Sequence, residues 1–68
     1  MSNFKEFYDE TLKNKHEEAF LKTVQEMCKV SRVTVNNWKQ GYFAPQPNYW
    51  PVINEIAVEF GYDKIYVL

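Results

Sequence analysis

One cysteine and one histidine in 68 residues leave this chain nothing to staple itself with. Cys28 has no partner in the chain for a disulfide, and His16 with a lone thiol falls short of a structural zinc site. The length allows a single domain, residues 1–68. A core of that size contributes only about 3–5 kcal/mol of net stability. Rings have to supply the cohesion: 18% of the residues are Phe, Tyr or Trp, and each can bury on the order of 150–250 Å².

The apolar spacing is helical throughout. Phe4, Phe7, Tyr8 and Leu12 share one face, which predicts a helix over 3–13. Asn14 with Glu17 three residues on resembles a capping box, so a second helix is expected over 15–28, with Ala19, Phe20, Val24, Met27 and Cys28 as its stripe. Ser31 is a strong N-cap and Gly41 a strong terminator. Between them a third helix, 32–40, puts Val35 and Trp38 on one side. Pro45 and Pro47 mark a loop. A fourth helix over 48–60 takes Pro51 in its first turn and carries Trp50, Ile53, Ile56, Ala57 and Phe60 on one face. Residues 62–68 fit either a half-turn on the core or a short extended arm. No alternating run finds a strand partner. The expected fold is all-α, with four helices, or five if the tail adds one. The expected core is Phe7, Phe20, Val24, Cys28, Val35, Trp38, Ile53, Ile56, Ala57 and Phe60.

The formal net charge of −1 argues mildly against a nucleic-acid partner. Its distribution argues the other way. Residues 27–54 hold Lys29, Arg32 and Lys39 and no acid. An anion would be drawn there if those side chains share a face. No apolar run approaches the roughly 20 residues of a membrane span, so no membrane partner is expected. The start of the chain lacks the basic and apolar stretches of a signal peptide, and a lone thiol suits a reducing, cytoplasmic setting.

Phe20 to Gly41 carries the functional signal. Two short helices that cross steeply need apolar anchors on their inner faces, here Val24, Cys28, Val35 and Trp38. The tight turn needs a small apolar residue beneath it, Val30, and the second helix a clean start, Ser31. Those are the parts of a helix-turn-helix unit, whose second helix enters the major groove N-terminus first. The run Val30-Ser31-Arg32-Val33-Thr34-Val35-Asn36-Asn37-Trp38-Lys39-Gln40-Gly41 resembles the turn and recognition helix of the phage-repressor-like helix-turn-helix family, in which VSxxTVxxWxxG is common. The resemblance implies a small transcriptional regulator of bacterial or phage type that binds double-stranded DNA. The chain departs from the family at Gln25, where Ala is usual, and at Lys29, where Gly is usual. Lys29 in a left-handed backbone would be mildly strained.

With Val35 and Trp38 turned inward, Arg32, Val33, Asn36, Asn37 and Gln40 are expected outward. Asn and Gln suit adenine, Arg suits guanine, and Val33 suits a thymine methyl. Lys29, Thr34, Lys39 and Tyr42 are placed nearer the phosphates, which position a protein without reading sequence, and Ser31 completes the expected DNA-binding set. The plain alternative for the asparagines and lysines is solvated surface. His16, Glu17 and Glu18 point in different directions, so neither a metal site nor catalysis is expected, and no cofactor or small-molecule substrate is implied. With so few cations, tight binding would call for a homodimer on two half-sites about one helical turn apart. The competing reading is a protein-interaction module on the same fold, favoured by the net negative charge and by Val33, Tyr42 and Phe43.

Overall fold

Both boundaries of the third helix follow from local signals, and each helix face from where the large apolar side chains fall. The computed structural model describes residues 3–13, 15 and 17–67. Its order is α1 (Asn3–Phe7), a π-helical turn (Tyr8–Leu12), α2 (Glu17–Cys28), α3 (Arg32–Gln40), a 3₁₀ turn (Pro47–Tyr49) and α4 (Trp50–Glu59). The protein is all-α, and no strand occurs among the described residues. The expected third helix matches α3 end to end. The first ends one residue early, at Leu12, and the second begins at Glu17 instead of residue 15. Its expected cap, Asn14, lies outside the described residues, as does His16. The fourth is a 3₁₀ turn that passes into an α-helix at Trp50, with Pro51 where its missing N–H is harmless.

The π turn has a geometric use. At about 100° per residue an α-helix would leave Leu12 roughly 80° away from Phe4. The wider turn, marked by the Lys13 N–H to Tyr8 carbonyl bond of 2.9 Å, brings Leu12 back toward that side. Phe4 and Leu12 are both fully buried.

The buried core is Phe4, Leu12, Phe20, Leu21, Val24, Cys28, Val35, Trp38, Ile53, Ile56, Ala57 and Tyr66. Phe7 and Phe60, expected in it, are only partly buried. They flank Phe20, with ring centroids 5.4 Å and 5.2 Å away, and their outer faces meet solvent. Ala19 and Met27 leave the expected α2 stripe for the surface. Leu21 replaces them because the stripe runs through 20, 21, 24 and 28, about 100° wide on a helix.

Asn54, nearly fully buried on α4, holds the tail. Its Oδ1 accepts the N–H groups of Ile65 and Tyr66 at 2.9 and 2.8 Å, and its Nδ2 donates to the Tyr66 carbonyl at 2.9 Å. Tyr66 stacks on Trp50 at 4.7 Å with the rings 3° apart. Burial pushes its hydroxyl pKa up to about 12. The tail is thus an irregular arm sealed onto the core.

Three helices end alike. The N–H of Val30, Tyr42 and Tyr62 reaches back to the carbonyl of Gln25, Asn37 and Ala57, and the residue before each has positive φ. Two of those residues are Gly41 and Gly61; the third is Lys29, at φ 56. This is the Schellman arrangement, and a left-handed backbone costs a residue with a Cβ about 1–2 kcal/mol. Lys29→Gly is therefore expected to stabilise the domain by about 1 kcal/mol, raising Tm by about 4–8 °C. Thermal melts followed by circular dichroism check this; an unchanged or lower Tm would contradict it.

Candidate nucleic-acid interface

α3 is held by its inner side and offered by its outer one. Val35 and Trp38 are buried. Trp38 meets Phe4 edge-on at 6.0 Å and Tyr49 at 5.5 Å. Between α2 and α3 lie only Lys29, Val30 and Ser31, with Val30 packed against the core. The Ser31 Oγ accepts the Thr34 N–H at 3.2 Å and lies 3.1 Å from the Thr34 Oγ1. No residue of the first turn of α3 is itself an acid.

The ten residues singled out from the sequence divide into groups. Val33, 67% exposed, and Gln40 mark the centre of the outward face. Asn36 and Asn37 flank that centre and are half-buried. Asn37 and Thr34 belong to a cleft of about 460 Å³ that also involves Val30, Trp38, Phe43 and Tyr49. Tyr42, 71% exposed, and Phe43, 65% exposed, follow in the loop after Gly41. Lys29 is exposed at the turn and makes no ion pair among the described residues.

Of the other two cations, Arg32 is placed differently from expectation. Arg32 does not extend from the outer face. It turns back to α2, where its Nη1 and Nη2 donate to the two carboxylate oxygens of Glu18, each at 2.7 Å. Its Nε donates to the Asn36 Oδ1 at 3.2 Å. The hydrogen bonds from Arg32 hold the Glu18 carboxyl below its ordinary pKa, and the Arg32 guanidinium is raised in turn. Lys39 lies at the flank facing the π turn, its ammonium 5.3 Å from the centre of the Tyr8 ring. Tyr8 in turn donates to the Glu17 carboxylate at 3.2 Å. The local surplus of three cations is thus partly spent inside the molecule, and the outward face of α3, with Val33 among neutral amides, carries no charge.

Glu18 is the residue of this region that sequence reasoning passed over. It precedes Arg32 by fourteen residues on another helix, and helical periodicity carries no signal at that distance. The same holds for Tyr8 under Lys39.

Among the described residues no group of three or more His, Cys, Asp or Glu could hold a metal ion. No helix of the described chain is long and apolar enough to cross a membrane. No protein-family model matches the chain, and comparison with curated proteins and with solved structures gives no significant match.

Proposed function

We propose that this chain is a helix-turn-helix domain that binds double-stranded DNA sequence-specifically, as a small regulator of bacterial or phage type, with residues 31–40 as the recognition helix. The observation that carries the reading is the outer face of α3. Asn36, Asn37 and Gln40, all able to bond base edges, surround the exposed methyls of Val33 on a helix capped at both ends. Neutral amides suit a major groove, where base edges offer donors and acceptors in fixed patterns. Lys29 at the turn and Lys39 at the flank stand where backbone phosphates would run. In this reading the protein performs no catalysis and works in the cytoplasm.

With a net charge of −1 and Arg32 neutralised, a single copy binds weakly, near the weak end of the roughly 10⁻⁴–10⁻⁶ M range for non-specific contacts. Tight binding takes two copies on adjacent half-sites. Fluorescence anisotropy with selected and random duplexes at two salt concentrations tests this. Asn36→Ala or Gln40→Ala should cost about 1–3 kcal/mol on the selected site and relax preference at one position. Lys29→Ala should weaken all duplexes alike and flatten the salt slope by about one unit. A second reading, docking on a protein, is favoured by one observation: Val33, Tyr42 and Phe43 are all exposed on or beside α3. Absence of binding to every duplex at low salt would replace the first reading with the second.

A further inference from the structure

The Arg32 side chain is the largest cation at the start of α3, yet it is committed elsewhere. Its two terminal nitrogens face Glu18 in a fork-to-carboxylate pair, the strongest geometry available to an arginine. The third edge, Nε–H, is on the Asn36 Oδ1. One carboxylate on α2 therefore sets two side chains of α3. It holds the guanidinium against α2, and through Arg32 it engages the oxygen of the Asn36 amide. The NH₂ of Asn36 takes no part in that contact. A free Asn can pair with adenine through both its oxygen and its nitrogen; an Asn whose oxygen already accepts from Arg32 keeps only one lone pair there, while both its N–H donors suit the guanine N7 and O6 or the thymine O4.

We propose that Glu18 is a positioning residue that sets base preference, holding Arg32 away from the DNA and orienting Asn36 as a hydrogen-bond donor. The inference rests on the DNA-binding reading. It adds that the decisive residue lies on α2, outside the recognition helix.

The test is selection from a randomised duplex pool, followed by anisotropy across a salt series. It uses the full chain and three variants. Glu18→Gln removes the charge that holds Arg32. Glu55→Gln makes the same change in net charge from an exposed position on α4. The double variant Glu18→Gln with Arg32→Ala removes the released side chain. Wild type is expected to select an acceptor edge opposite Asn36. Glu18→Gln is expected to gain a guanine preference of about fivefold or more at one further position, and to steepen the salt slope by about one unit as Arg32 joins the interface. Neither gain should appear in Glu55→Gln or in the double variant. If wild type selects a site and Glu18→Gln selects the same one with the same slope, the role of Glu18 is overturned while the DNA reading stands. If Glu55→Gln matches Glu18→Gln, the effect is net charge alone and the role is again overturned. If no variant binds any duplex at low salt, both readings fall together.

Discussion

Trp38→Ala is expected to leave the chain without a cooperative thermal transition at neutral pH. Trp38 is 4% exposed and joins three elements: α3, which carries it, α1 through Phe4, and the 3₁₀ turn through Tyr49. Truncating a large buried ring costs about 3–5 kcal/mol, which is as much as a domain of this size has to lose. No disulfide among the described residues limits the unfolded chain, since Cys28 is free. Near-ultraviolet circular dichroism and a urea titration report the loss. Trp38→Phe, which keeps a ring in place, should retain a transition at lower denaturant. A Trp38→Ala protein that melts as wild type does would show that this ring is not what joins α3 to the rest.

Asn54→Ala is expected to cost about 2–4 kcal/mol and to release the tail. The substitution removes the partners of two N–H groups and one carbonyl, and each buried polar group left unpaired costs about 1–3 kcal/mol. Detachment of the arm lets those groups reach water but gives up the burial of Tyr66 and its stack on Trp50. Either route lowers Tm, and amide exchange at Ile65 and Tyr66 should rise well above that of the α2 core. Asn54→Asp separates the parts. Its oxygen still accepts both N–H groups, while its second oxygen faces the Tyr66 carbonyl. A loss below about 1 kcal/mol for Asn54→Ala, with the tail still protected, would contradict this account.

Both substitutions bear on how much of the molecule could be read from its residues. α3 was legible in full, because its start, end and inner face each depend on a single local signal: Ser31, Gly41, and the spacing of Val35 and Trp38. The strain at Lys29 was anticipated only through the resemblance, which usually has Gly at that place. The tail was not, although a hint existed. Asn54 is a polar residue on the apolar side of α4, and a buried amide needs partners; nothing local says that residues 65 and 66 supply them. The π turn escaped because its effect is a change of pitch, and periodicity assumes a constant one. For the candidate interface, the identity and the outward placement of Val33, Asn36, Asn37 and Gln40 followed from helical spacing. The states of Arg32 and Lys39 did not. Both depend on neighbours from other helices, Glu18 and Tyr8, and such contacts exist only once the helices have packed.

The central claim is that α3 is the surface that meets DNA. Chemical-shift mapping tests it most directly: a ¹⁵N-labelled sample is titrated with a selected duplex at low salt and its amide spectrum followed. The account predicts shifts concentrated on Ser31 to Gln40 and on Lys29, including the side-chain amides of Asn36, Asn37 and Gln40, with α4 and the Asn54-bound tail unmoved. A spectrum unchanged at saturating duplex, or shifts concentrated on α4 and the tail, would contradict it.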